Sequence, residues 1–173
     1  MKIAYADPPY IGQAKRHYEM PEVDHYALIK RLQEDFPDGW ALSCSSNSLG
    51  EILGYCEAFK VRWRIGAWVK PFHAFKRGVR PAYAWEPVIY TGGRNPPWHP
   101  HPPPLKNGKA TTPKDWVSVS ITLKKGLVGA KPEAFSFWLF ELMGMQPTDK
   151  LVDIFIGTGA VTDAWLKWCE LHE

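Results

Sequence analysis

Cysteine is scarce in this chain, and the three present, Cys44, Cys56 and Cys169, are odd in number with no C-x-x-C spacing. That pattern argues against a disulfide framework or a zinc site, so free buried thiols are expected. Long apolar runs are lacking too, and none approaches the roughly 20 residues that a bilayer-spanning helix needs. The start, Met1-Lys2-Ile3-Ala4-Tyr5-Ala6-Asp7, meets an acid at the seventh position, which cuts short any apolar signal region. A cytoplasmic protein is therefore expected. Excess charge is small, at +3 overall, and does not by itself demand a polyanionic partner. Acidic residues, however, are absent from the whole stretch between Lys60 and Arg80.

That stretch holds Lys60, Arg62, Arg64, Lys70, Lys76, Arg77 and Arg80, interleaved with Trp63, Trp68, Phe72 and Phe75. Cations for phosphates beside aromatic faces for bases suit a nucleic-acid groove. The same residues also fit a strand with inward aromatics and solvated outward cations. With 173 residues and 45 % hydrophobic content, the chain fits a single domain, 1–173, with one substantial core.

Strand and helix signals alternate. Lys2 to Ala6 is an apolar run ending at a Pro-Pro pair, which reads as a buried strand. Asp24 is a candidate N-cap for a helix carrying Leu28, Ile29, Leu32 and Phe36. Trp40 to Ser43, Val61 to Val69, Trp85 to Tyr90 and Leu151 to Phe155 read as strands, and a short helix follows Leu49. Pro132 opens an apolar helix ending near Gly144, and Ala160 to Leu171 forms the last helix. From Gly92 to Pro113 the prolines preclude a regular ladder, and an exposed loop is expected. The alternation predicts a mostly parallel α/β sheet, with helices on both faces.

Two constellations carry chemistry. The first, Asp7-Pro8-Pro9-Tyr10, directly follows the first strand, where α/β sheets place their ligands. The amino nitrogen of adenine is a poor nucleophile because its lone pair is delocalised into the ring. Accepting both of its N–H hydrogens draws the nitrogen toward a tetrahedral geometry and frees that pair. Asp7 offers one acceptor and the Pro8 carbonyl another, and the paired prolines hold them in place beforehand. Tyr10 can stack on a base removed from its duplex. The same four residues also fit a plain turn. The second constellation, Asp153-Ile154-Phe155-Ile156-Gly157-Thr158-Gly159-Ala160-Val161, follows an apolar strand and opens a helix. Its glycines permit a sharp turn and close ligand approach, and the helix-start N–H groups face whatever binds there. A lone G-x-G is equally compatible with a structural turn.

Together these motifs resemble the amino-group DNA methyltransferases, with D-P-P-Y ahead of D-x-F-x-G-T-G as in the permuted beta class. The Lys131-Pro132-Glu133 segment is similar to the K-P segment leading into the cofactor strand of that class. The likeness runs from Asp7 to Trp165 and is nearest to small DNA methylases of actinobacteria and their phages. Trp68-Val69-Lys70 with Trp85-Glu86-Pro87 is also similar to the related messenger-RNA adenine methyltransferases.

The resemblance implies a circularly permuted Rossmann-like α/β fold, shortened to about five strands, that binds S-adenosyl-L-methionine. It implies that Asp7, Pro8, Pro9 and Tyr10 form the amino-group pocket. It further implies that Asp153, Phe155, Gly157, Thr158, Gly159 and Val161 line the cofactor, with Asp7 bordering it and Lys131 near its methionine end. Asp as the first motif letter favours N6 of adenine in DNA, with RNA adenine and DNA cytosine N4 as alternatives. A catalytically silent nucleic-acid-binding partner of a methylase is the reading from another class. No Pro-Cys motif is present, which argues against carbon-5 chemistry through a thiolate. Target recognition falls to residues 70–114, with Lys70, Lys76, Arg77 and Arg80 as nucleic-acid contacts. His99 and His101 have no companion ligands, so no metal site is expected. The chain lacks the two strands that follow the glycine turn in a full methyltransferase sheet, and with them the usual acidic ribose contact. An open edge beside the cofactor strand favours a homodimer.

Overall fold

Opposite faces of one sheet build two core layers. The computed structural model describes residues 1–12, 14, 21–72, 78–94, 112–121 and 130–172. Strand β1 (Lys2–Ala6) is apolar throughout except at its first residue, and its side chains alternate between faces. Ile3 and Tyr5 enter one buried cluster, while Ala4 and Ala6 enter the other. Helix α1 (His25–Asp35) starts where Asp24 Oδ1 accepts a hydrogen bond from the Ala27 N–H at 2.9 Å. Strand β2 (Gly39–Ser43) is buried along its whole length, and α2 (Leu49–Ala58) follows it. Next come β3 (Arg64–Val69), β4 (Trp85–Gly92) and β5 (Trp116–Ser118). Helix α3 (Glu133–Leu142) begins after Pro132, β6 (Lys150–Asp153) follows, and α4 (Ala160–His172) is the last element.

The strand order is β5-β3-β4-β2-β1-β6. Only β4 runs against its neighbours, so the sheet is mostly parallel in direction. Helices α1 and α2 cover the face of Ala4, Ala6, Leu42 and Ile89, and α3 and α4 cover the face of Tyr5, Ala41, Val88 and Tyr90. Among the described residues the sheet has six strands, one more than the expected five or so. The addition is β5, three residues whose register from Ala67↔Trp116 to Val69↔Ser118 is fixed by the edge of β3. So short a strand has no periodicity of its own to read. The span 70–114 includes β4, which lies inside the sheet between β3 and β2.

Two local devices shape the half of the sheet that carries β4. Pro87 sits within an interior strand, where the missing N–H ordinarily breaks a ladder. Here Ala67, its partner on β3, turns its N–H away to the Asp115 carbonyl at 2.9 Å, and on the β2 side the Pro87 carbonyl still accepts from the Cys44 N–H at 3.1 Å, just past the last paired residues, Ser43↔Val88. Little is lost at that position. At Gly66 the Trp138 ring of α3 lies against the strand backbone, and a Cβ there would stand 2.9 Å from the ring. The Trp138 indole N–H donates to the Lys114 carbonyl at 2.8 Å, which ties α3 to the segment leading into β5.

The start of the chain is fastened to β6 through Asp149. Its carboxylate accepts from the terminal amine, from Arg94 and from the Gln146 N–H, and its side chain is 1 % exposed. Cys44 and Cys56 are free thiols buried in the α1–α2 core. Burial pushes the Cys44 thiol up to about 12 and the Cys56 thiol up to about 11, so both stay protonated.

Candidate active site

Parallel pairing of β1 with β6 sets Tyr5 opposite Asp153, so both motif-bearing strands end at the same edge of the sheet. Asp7 follows β1 at that edge, and the Gly157-Thr158-Gly159 turn follows β6. Residues about 150 positions apart in sequence thereby meet at the carboxyl ends of neighbouring strands.

Four side chains of alternating charge meet there. The Lys131 ammonium lies 3.0 Å from Asp7 Oδ1 and 3.3 Å from Glu86 Oε2. Glu86 reaches in from β4, and its other oxygen pairs with Lys70 from the end of β3. The Tyr10 hydroxyl donates to Glu86 Oε2 at 2.7 Å, which fixes the ring that follows the double proline. Lys131 is 5 % exposed, and its ammonium lies 5.2 Å from the centre of the Trp68 ring and 5.8 Å from that of Phe135. An ammonium so far from water needs these carboxylates and aromatic faces to stay charged.

The electrostatics follow from this packing. Burial raises the Asp7 carboxyl above the usual carboxylate range, against the pull of Lys131. Burial also pushes Glu86 upward, but Lys131 and Lys70 together outweigh it and hold the group below its usual value. For Lys131 burial alone would lower the ammonium, and Asp7 and Glu86 reverse that. Burial, with Asp7 and Glu86 nearby, holds Tyr10 well above an ordinary phenol.

On the β6 side, Asp153 Oδ2 accepts from the Thr162 hydroxyl at 3.4 Å, whereas Oδ1 is buried with no hydrogen-bond partner. Burial raises this carboxyl, with the Thr162 hydroxyl and the Phe155 N–H pulling the other way. Gly157 and Gly159 have φ of 51° and 77°, in the left-handed region that side chains disfavour. A Cβ at Gly159 would meet nothing within 4 Å, so the turn itself leaves open room. The Thr158 hydroxyl accepts from the Ala160 N–H at 3.4 Å at the start of α4. An orphaned acceptor and an open glycine turn at a helix start fit a ligand carrying an ammonium and a carboxylate.

The structure brings together most of the residues named from the sequence. Asp7, Tyr10 and Lys131 share one network, and Pro8 and Pro9 link Asp7 to Tyr10. Asp153, Gly157, Thr158 and Gly159 form the adjoining turn. Phe155 packs against the α1–α2 core and Val161 is buried in the α3–α4 core. Lys131 sits on Asp7 and Glu86. Lys70 is engaged with Glu86 and is 16 % exposed. Arg80 is exposed and lines a surface cavity of about 370 Å³ with Ser46, Asn47, Tyr83 and Trp85. Lys76, Arg77, Phe75, His99 and His101 lie outside the described residues. Of the other interleaved aromatics, Trp68 is buried and Trp63 packs against a core, while Phe72 is exposed. Among the described residues, no group of three His, Cys, Asp or Glu is placed to hold a metal ion. No described helix is long and apolar enough to cross a membrane.

The functional residue that sequence reasoning missed is Glu86. It enters the sequence reading only within the Trp85-Glu86-Pro87 likeness, yet it shares a strand face with Val88 and Tyr90, which enter the core. A lone acid at an inward position of a two-residue period was the available signal.

The mixed α/β sheet, with the Asp7 and glycine-turn strands side by side, has the Rossmann-like fold of S-adenosylmethionine-dependent methyltransferases. Among solved structures, the M1.HpyAVI–SAM complex is similar at 19 % identity and a TM-score of 0.62, over 98 % of this chain and 78 % of that one. TTHA0409 of Thermus thermophilus, a DNA modification methylase by assignment, is similar at 18 % identity and a TM-score of 0.58. There the match covers 96 % of this chain and 76 % of that one. Another structure of TTHA0409, complexed with S-adenosyl-L-methionine, has a TM-score of 0.56 at 15 % identity, covering 96 % and 77 %. At these identities the likeness establishes the fold. No family model matches the sequence, and no curated protein matches it.

Proposed function

We propose that this protein methylates the exocyclic amino group of adenine, at N6, in DNA, with S-adenosyl-L-methionine as methyl donor. The observation that carries this reading is the placement of Asp7, at the end of β1, beside the glycine turn of β6 and its orphan Asp153 oxygen. Asp153 and the turn from Gly157 to Gly159 would hold the donor's ammonium and carboxylate. The donor supplies a methyl on a sulfonium: the N–C bond forms as the C–S bond breaks, the electron pair goes to sulfur, and the nitrogen sheds one proton. Asp7 accepts a hydrogen bond from the amino group, which directs the nitrogen lone pair at the methyl. Its raised carboxyl is also suited to receive the departing proton. The Tyr10 ring, held by Glu86, offers a face for the extruded base. Arg80, exposed beside Tyr83 and Trp85, supplies a phosphate contact next to aromatic faces. Among the described residues β6 is an outer strand of the sheet, and pairing of two copies along it is tested by sedimentation of the purified protein.

Nucleoside mass spectrometry of DNA and RNA from cells expressing the wild type and Asp7→Ala tests the reaction. The expected result is N6-methyladenine in DNA that disappears with the variant. A signal in RNA, or as N4-methylcytosine, moves the substrate and keeps the chemistry. No methylated base in either pool, together with no cofactor binding by calorimetry, overturns the reading in favour of a silent nucleic-acid-binding module.

A further inference from the structure

Glu86 sits where the proposed methyl transfer has no direct task for it, yet more side chains converge on it than on Asp7. One carboxylate oxygen accepts from the Tyr10 hydroxyl at 2.7 Å and from Lys131 at 3.3 Å, and the other pairs with Lys70. Lys131 in turn lies 3.0 Å from Asp7. The four charges alternate along the chain Lys70, Glu86, Lys131, Asp7, and the set is neutral overall. Were Lys131 to have Asp7 alone, the ammonium would occupy the lone pairs that the substrate amino group needs.

We propose that Glu86 is a positioning residue which divides the Lys131 ammonium between two carboxylates, leaving Asp7 free to accept from the amino group, and which locks the Tyr10 ring by the same oxygen. Lys70 completes the device by holding the second oxygen, so that Glu86 does not draw Lys131 away from Asp7 altogether. This rests on the methyl-transfer reading for its purpose, although the arrangement itself does not. The charged and titratable groups around Asp7 are Tyr5 and Tyr10 on its own segment, Lys131 ahead of α3, Glu86 on β4, Lys70 after β3 and Asp153 on β6. Glu86 pushes the Asp7 carboxyl up and Lys70 pulls it down, so their removal has opposite signs.

The test compares wild type, Glu86→Gln, Glu86→Asp and Lys70→Met by two readouts. The first is the pH profile of methylation rate; the second is the titration of the Asp7 carboxyl by carbon-13 NMR, assigned with Asp7→Asn. Activity belongs to the ionised Asp7 and is lost as pH falls through its midpoint. Glu86→Gln is expected to move that midpoint to lower pH and lower the plateau rate about tenfold to a hundredfold, the worth of a lost charge-assisted hydrogen bond. Lys70→Met is expected to move the midpoint to higher pH, and Glu86→Asp to return it toward wild type. Midpoints that stay together, or that move in the same direction in Glu86→Gln and Lys70→Met, overturn the proposal. A wild type that methylates neither nucleic acid rejects the functional reading, while the NMR midpoints still decide the role of Glu86.

Discussion

Asp7 and Asp153 stand at the ends of adjacent strands, yet their surroundings set them different tasks. Asp7 has Lys131 at 3.0 Å, whereas Asp153 keeps one buried oxygen without a partner. On the proposed reading, replacing Asp7 with Ala removes the acceptor for the substrate amino group and is expected to slow methylation at least a hundredfold, roughly the worth of one preorganised hydrogen-bonding group. Circular dichroism should show the variant folded, because Lys131 retains Glu86. On the proposed reading, Asp153→Asn removes the charge that would meet the donor's ammonium. Calorimetry should then find cofactor affinity reduced about tenfold to a hundredfold. Binding needs the ionised form, which exists above the carboxyl's own pKa. Because burial raises that pKa, wild-type affinity should begin to fall at a higher pH than an ordinary carboxylate would dictate. An affinity that is flat with pH and equal in the variant would remove Asp153 from the cofactor site.

At the scale of elements, period and caps decided most boundaries. Asp24 starts α1 by accepting from Ala27, and Pro132 starts α3, both as the sequence indicates. The strand expected from Val61 begins only at Arg64, because the Val61 N–H goes back to the Cys56 carbonyl on leaving α2. Gly66 is a tight contact of a strand with a helix that the sequence did not announce. Gly66→Val is expected to destabilise the protein by about 1–3 kcal/mol, since the added carbons overlap the Trp138 ring. Denaturant unfolding followed by tryptophan fluorescence measures this. A neutral substitution would mean that α3 and β3 separate without penalty.

At the scale of the whole molecule, one sheet serves two cores, and Asp149 binds the first residue of the chain to its last strand. Burial pushes the Asp149 carboxyl up, but Arg94, the terminal amine and the Gln146 N–H together hold it below the usual range. Asp149→Ala strands two cations and should cost about 3 kcal/mol at pH 7, the lower end for a broken buried pair, because both cations keep some water. A carboxyl lowered by folding adds stability above its unfolded value and loses it as pH falls through its folded one. The gap between wild type and variant should therefore close below about pH 4 in urea titrations. A gap of the same size at pH 7 and pH 3 would assign the loss to packing rather than to charge.

The sequence by itself determined the alternation of elements, the α1 and α3 starts and the two motifs, because caps, periods and prolines act within a few residues of themselves. It also allowed both readings of the aromatic-basic stretch. Only the tertiary structure placed Trp68 inward and Phe72 outward, since the facing layer fixes which side chains a strand buries. The edge strand β5, the meeting of Asp7 with the glycine turn and the charge chain through Glu86 were also decided at that level. Each depends on pairing between segments far apart in the chain, and no local signal states which strand will lie beside which.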